Sequence, residues 1–197
     1  MVLTILRSSI LKALCGGAVA VAAMVASAGA APSVWRIDPG ASTILITFVV
    51  DGKPRQGEFG VFRGEATFDP AALSDADLRF EIETGSVDLD EPFATDFVKS
   101  IDWLFVEEHP VAVYELQRLE QIGEDRFRAE GMLTLRGRTH SVMGELTLNL
   151  DENTAAAVGE AGFDRKDFNV GVGFSTLFVE IGPKIGVSFD LKASKVE

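Results

Sequence analysis

Arg126 to Leu150, RFRAEGMLTLRGRTHSVMGELTLNL, is the stretch whose reading decides the fold. Side chains of a strand alternate between two faces. Phe127, Ala129, Gly131, Leu133 and Leu135 therefore share one side, and beyond Gly137-Arg138 so do Val142, Gly144, Leu146, Leu148 and Leu150. A two-residue turn with glycine first predicts a type II′ hairpin. That turn pairs Leu133 with Val142, Gly131 with Gly144, Ala129 with Leu146 and Phe127 with Leu148. Arg126, Arg128, Glu130, Thr134, Ser141, Glu145, Thr147 and Asn149 then take the opposite face. Facing glycines predict a gap on the apolar side that some other group must fill. The register also sets Glu130 against Glu145, a repulsion that Arg128 and Thr147 on the diagonals would soften.

Period-two patterning extends outward from this hairpin, with turn signals at short intervals. Upstream, strands are predicted at Val34 to Ile37, Thr43 to Val50, Gly57 to Phe62, Glu65 to Phe68 and Asp77 to Glu83. They are separated by Asp38-Pro39-Gly40, Asp51-Gly52-Lys53-Pro54, Arg63-Gly64 and Asp69-Pro70. Alternation breaks between Glu91 and His109, where closely spaced Phe93, Phe97, Val98, Ile101, Trp103, Leu104 and Phe105 fit one or two helical turns near residues 92 to 108. It returns at Val111 to Leu116. After the hairpin come Thr154 to Phe163, a glycine-rich stretch from Asn169 to Phe174, and a last strand carrying Ile185, Val187, Phe189, Leu191 and Ala193 on one face. The chain therefore reads as all-β, an antiparallel barrel of about eight strands with a short helical insertion.

Residues 1 to 30 have a different character. Arg7 and Lys12 are the only charges, Ala13 to Ala26 is apolar and alanine-rich, and small residues offer cleavage after Ala28 or Ala30. This is the layout of a secretory signal peptide. The apolar run is shorter than the roughly 20 residues a spanning helix needs, so the expected protein is not membrane-spanning after cleavage. Its only cysteine, Cys15, leaves with the leader, so the mature chain is exported without a disulfide. Two of the 18 basic residues and none of the 30 acidic ones lie in the leader. The remainder carries 16 basic and 30 acidic residues, a net charge of −14. That balance argues against nucleic acid and against an electrostatic hold on anionic lipid.

An eight-stranded barrel is just wide enough to be filled by side chains or to hold one ligand. All 14 phenylalanines lie after residue 47 and, with Trp35, Trp103 and Tyr114, make an aromatic inner face. Most of these rings simply fill a core. Bulky rings combined with glycines at Gly131 and Gly144 can also leave room for an extended apolar ligand.

Several scattered pieces then fall into one order. Trp35-Arg36-Ile37-Asp38-Pro39 with Ser42 and Phe48, Gly57-Glu58-Phe59, Phe68-Asp69-Pro70, Ile101-Asp102-Trp103-Leu104 with His109-Pro110 and Tyr114, Gly131 to Gly137 with Thr139, and Arg165-Lys166-Asp167-Phe168 resemble the YceI-like family of polyisoprenoid-binding proteins. The resemblance runs from Trp35 nearly to the end. It implies a lipocalin-like barrel over residues 33 to 195, exported to the periplasm, with no cofactor. Its apolar channel would hold a long-chain lipid such as an isoprenoid quinone or polyprenyl lipid. Where many members carry Arg-Asp-x-His-Leu, this chain has Ala94-Thr95-Asp96-Phe97-Val98, which bears on any head-group preference. Phe48, Phe80, Trp103, Phe105, Tyr114, Gly131, Leu133, Gly144 and Phe168 are the expected cavity lining, with Arg165 the basic group nearest its mouth. A homodimer is left open.

Catalytic patterns are thin. The two histidines, His109 and His140, have no metal-ligand spacing, and neither a GxSxG elbow nor a phosphate-cradling loop occurs. A noncatalytic lipid carrier is the favoured reading. The competing one is an enzyme acting on a lipid quinone or lipid ester, with His109 beside Asp102 or Glu107. A third, an outer-membrane barrel, would need uncharged lipid-facing residues around its whole girth, whereas the apolar inner faces of the hairpin and last strand already account for a core and the chain ends Lys195-Val196-Glu197 without an aromatic residue.

Overall fold

The structure, a computed structural model, describes residues 32–69 and 71–196; the expected leader and Cys15 lie outside the described residues. Eleven strands and one α-helix follow in order: β1 (Ser33–Ile37), β2 (Thr43–Val50), β3 (Lys53–Phe59), β4 (Phe62–Phe68), β5 (Asp77–Glu83), β6 (Val87–Asp88), α1 (Pro92–Lys99), β7 (Val111–Gln121), β8 (Arg126–Leu135), β9 (Arg138–Leu150), β10 (Thr154–Asp164) and β11 (Lys184–Lys195). Eight of them close a ring in the order β1-β4-β5-β7-β8-β9-β10-β11, because β11 pairs back onto β1. β2, β3 and β6 continue the sheet from a different part of β11. The expected antiparallel barrel with one short helix is the fold observed.

One edge of β11 serves two strands in succession. Its end from Ala193 to Lys195 faces β1, and its stretch from Gly186 to Asp190 faces β2. Where the chain steps from one to the other, the ladder is kept whole by the turn at Asp38-Pro39-Gly40. Asp38 N–H donates to the Lys192 carbonyl at 2.8 Å, and Lys192 N–H donates to Ser42 Oγ at 2.9 Å. A side-chain oxygen thus replaces the missing backbone acceptor, as a buried N–H requires.

The hairpin forms with its faces as expected but in a different register. Leu133 pairs with His140, Gly131 with Val142, Ala129 with Gly144 and Phe127 with Leu146. The turn sits one residue earlier, at Arg136-Gly137, and both residues have positive φ, +50° and +69°. That is a type I′ geometry. A two-residue slide preserves the faces, since the side-chain period is two, but Gly131 no longer meets Gly144. Charge explains the observed choice. Glu145 now lies opposite Arg128 and receives Arg128 and Arg126 at 3.0 and 3.1 Å, and the Glu130–Glu145 repulsion disappears. These partners hold the Glu145 carboxyl below its usual range, led by the Arg128 hydrogen bond. The left-handed conformation of Arg136 is held by its guanidinium, which donates to the carbonyls of Asn169 and Ile101.

A second boundary also differs. The break between β3 and β4 falls at Gly60-Val61 rather than Arg63-Gly64, and β3 begins at Lys53. Gly64 is a strand residue because the Phe80 ring occupies the space its side chain would need, with Phe80 Cδ2 2.5 Å from an ideal Cβ.

One end of the barrel is plugged. Trp103 and Leu104 from the segment after α1, and Phe168 and Val170 from the β10–β11 connection, are buried together with Leu135, Val142 and Phe80. Gly137→Val puts a β-branched residue at φ +69°, with the His109 ring 3.1 Å from its Cβ. We expect a loss of about 1–2 kcal/mol, read as a lower urea midpoint with an unchanged slope.

Candidate functional site

The inner wall is chemically uniform on one side. Every inward position of β8, of β9 from Val142 to Leu150, of β10 from Ala155 to Phe163 and of β11 from Ile185 to Ala193 is apolar or glycine. Small residues gather on this wall, with Ala129, Gly144 and Ala161 in one row and Gly159, Ala157 and Ala155 along β10. Across the ring, β1, β4, β5 and β7 present Trp35, Phe62, Phe68, Phe80, Tyr114 and Leu116. Large rings thus stand across the barrel from a wall in which small side chains are gathered on β10 and beside it.

Three aromatic rings are seated against glycines instead of projecting freely. An ideal Cβ on Gly64 would be 2.5 Å from Phe80 Cδ2, one on Gly131 2.5 Å from the Tyr114 hydroxyl, and one on Gly159 2.7 Å from Phe189 Cζ. A ring lying on a backbone that lacks a Cβ takes up less of the interior. Away from the plug, Leu146, Leu148, Leu150, Ala155, Ala157, Leu191 and Ala193 are only half-buried although they face inward. In a filled core such positions are covered completely. Trp35, stacked on Phe68 at 5.1 Å, is 2% exposed at the side of this stretch.

Two polar atoms of the bulky wall stand out. Trp35 Nε1 is buried and, among the described residues, has no hydrogen-bond partner. Nor does the hydroxyl of half-buried Tyr114 bond to any described group. Burial, reinforced by the Glu130 charge, pushes the Tyr114 phenol up to about 12. It remains a neutral donor across the physiological range.

The expected lining residues divide between several places. Phe80, Tyr114, Gly131 and Leu133 lie on the inner wall of the ring. Gly144 does so too, but it faces Ala129, and its own Cβ would meet the Glu160 carbonyl at 2.7 Å. Trp103 and Phe168 belong to the plug. Phe168 is 0% exposed, with Phe163 and His140 edge-on at 5.1 and 5.2 Å. Phe105 stands edge-on to His109, outside the buried cluster, and Phe48 is half-buried on β2.

Arg165 is not aimed at an opening. It is 5% exposed, and its guanidinium donates to the carbonyls of Gly182 at 2.9 Å, Val170 at 2.8 Å, Ile181 at 2.9 Å and Gly171. Desolvation lowers its pKa, partly offset by Asp164. A planar fork with several donors here staples the connection from residue 165 to 183 over the barrel end. His109 lies at the same end, its carbonyl accepting from Thr84 Oγ1 at 2.7 Å, and the Asp102 carbonyl accepts from Gly171 N–H at 2.8 Å.

Other chemistry is sparse. Among the described residues no group of three or more His, Cys, Asp or Glu could hold a metal ion. A cleft of about 560 Å³ between β6 and α1, lined by Ser86, Val87, Asp88, Asp90, Pro92, Thr95, Asp96 and Lys99, lies outside the barrel. Its polar, acidic lining does not suit an apolar chain.

The small-residue wall was legible in sequence as Ala155, Ala157, Gly159 and Ala161 at period two. Their position opposite aromatic strands was not.

Comparison with known proteins agrees with this architecture. Residues 35–193 match the model of the YceI-like domain. A UPF0312 protein of Azotobacter vinelandii is 32% identical over 87 residues, 44% of this chain and 45% of that protein. The match thus spans about half the length of that relative. A UPF0312 protein of Pectobacterium carotovorum is 29% identical over 157 residues, 75% of this chain and 81% of its own. Among solved structures, Burkholderia cenocepacia BcnA superposes with a TM-score of 0.72 at 25% identity, covering 79% of this chain and 98% of its own. A polyisoprenoid-binding domain from Saccharophagus degradans shares the fold, with a TM-score of 0.66 at 15% identity over 82% of this chain and 98% of its own.

Two measurements probe the site's chemistry. Arg165→Lys keeps the charge but cannot serve four carbonyls, so it should destabilise by about 2–4 kcal/mol, read by thermal unfolding. Little loss of stability would mean the staple does not hold the connection. Tyr114 is the one tyrosine of the chain, so phenolate absorbance reports it alone. Its raised pKa favours the folded state below the unfolded value near 10, and that contribution fades as pH climbs toward about 12. Alkaline titration of the native protein should therefore lag that of the urea-unfolded chain.

Proposed function

The chain belongs to the YceI-like family, and from that premise we propose that it is a noncatalytic binding protein that holds one long, uncharged lipid chain, of isoprenoid type, inside its barrel. The carrying observation is the inner wall of β8 to β11. It is apolar throughout, carries a run of small residues along β10, and is incompletely covered along Leu146, Leu148, Ala157 and Leu191. Apolar burial contributes about 0.8 kcal/mol per methylene. A dozen buried carbons would supply roughly 10 kcal/mol, enough to offset much of the cost of association without a charged clamp. The Saccharophagus relative is described as a polyisoprenoid-binding domain, and the same ligand class suits this interior. The leader pattern read at residues 1 to 30 supports a periplasmic location, where an apolar lipid needs a cover to cross an aqueous space.

The test is organic extraction of protein purified from the periplasm, followed by mass spectrometry. A long-chain lipid should be recovered in near-stoichiometric amount. Ala157→Phe, which adds a ring to the uncovered stretch, should leave the fold and thermal midpoint near the parent's while sharply reducing recovered lipid. A parent protein that is empty and also takes up no polyprenyl lipid would sink the carrier reading.

A further inference from the structure

Within the carrier reading, on which this inference rests, we propose that the Tyr114 hydroxyl is a ligand-positioning donor, and that the barrel selects uncharged lipids bearing a hydrogen-bond acceptor, a carbonyl or an ether, over plain hydrocarbon. Tyr114 lies on the inner face of β7 between buried Ala112 and Leu116. Its ring is laid against Gly131, with the hydroxyl 2.5 Å from where a Cβ would stand. One row beyond Gly131 on the inner wall come Ala129, Gly144 and Ala161, the smallest row in the barrel. The hydroxyl thus ends beside this row of small side chains, and no described group shares its hydrogen bond.

An unpaired donor in an apolar setting costs free energy that an acceptor recovers. The facing wall from β8 to β11 offers none, since its inward side chains are all apolar or glycine. An acceptor carried by the ligand would complete this hydrogen bond. It must be uncharged, because no inward cation on that wall would compensate an ionised phosphate or carboxylate. Trp35 Nε1 is the other donor without a partner, but it is sealed from solvent and stacked on Phe68, so it is not open to a ligand in the way Tyr114 is.

The experiment compares geranylgeranylacetone, an isoprenoid ketone, with the hydrocarbon in which a methylene replaces its carbonyl. Binding of both is measured to the parent mature protein and to Tyr114→Phe, which keeps the ring over Gly131 and removes only the hydroxyl. The parent should bind the ketone about tenfold more tightly than the hydrocarbon, and Tyr114→Phe should erase that difference without weakening hydrocarbon binding. In the parent, the carbonyl stretch of bound ketone should move to lower frequency than in hexane, a readout that does not depend on how the variant folds. If the parent binds both probes equally, or Tyr114→Phe keeps the preference, or the carbonyl band stays at its hexane position, the assignment is wrong while the carrier reading stands. Uptake of neither probe by the parent would remove the carrier reading and this assignment with it.

Discussion

The interior of this barrel depends on the contact between aromatic rings and glycine backbones. Eight strands enclose only enough space for side chains or one ligand, and a wall carrying Trp35, Phe62, Phe68, Phe80 and Tyr114 would ordinarily fill it. Phe80 on Gly64, Tyr114 on Gly131 and Phe189 on Gly159 each take the place of a Cβ. The rings thereby gain a flat apolar seat and use less of the enclosed volume. Glycine weakens a strand by leaving backbone uncovered; the ring covers it again. The result is a wall that is continuous yet thin.

The two ends of the barrel are handled differently. At the end carrying the β8–β9 turn, Trp103, Leu104, Phe168 and Val170 form a plug, and two arginines tie the covering segments to backbone carbonyls. Arg165 binds its own connection into a compact loop, and Arg136 bridges that loop to the segment after α1. Away from this plug the inward side chains of β9 to β11 are only partly covered, while Trp35, Phe68 and Phe127 are buried. Apart from Arg165, charged strand residues gather on the outer face, where Arg63, Arg79, Glu81 and Glu115 form a network across β4, β5 and β7. This segregation keeps an apolar interior inside a strongly acidic protein.

Much of the fold was legible from alternation alone. Strand faces, the all-β class and the helical interruption follow from side-chain period and from Pro92 and Pro110, because these depend on neighbours close in the chain. The hairpin register was harder. Two type-allowed turns, at Gly137-Arg138 and at Arg136-Gly137, give identical faces, and the choice between them rests on cross-strand charge and on a carbonyl contact with Asn169. The site suffered the same limit. Gly131 was singled out as facing a gap with Gly144, but the space beside it is taken by the Tyr114 ring from β7, and Gly144 faces Ala129. Arg165 looked like a basic group at a mouth because Phe168 follows it. Its four carbonyl partners lie at residues 170 to 182, in a loop whose path no local pattern reveals.

By itself, the sequence determined which residues face inward, that this face is apolar and aromatic, and that the outer face carries the charge. Those properties are set by alternation and composition, and they survive any register. Only the tertiary structure decided which strands stand opposite one another, and hence that the small side chains of β8 to β10 face the large rings of β1, β4, β5 and β7. Whether an apolar face becomes a solid core or a lined channel depends on the sizes of residues far apart in the chain, and it is strand order and ring closure that bring them together.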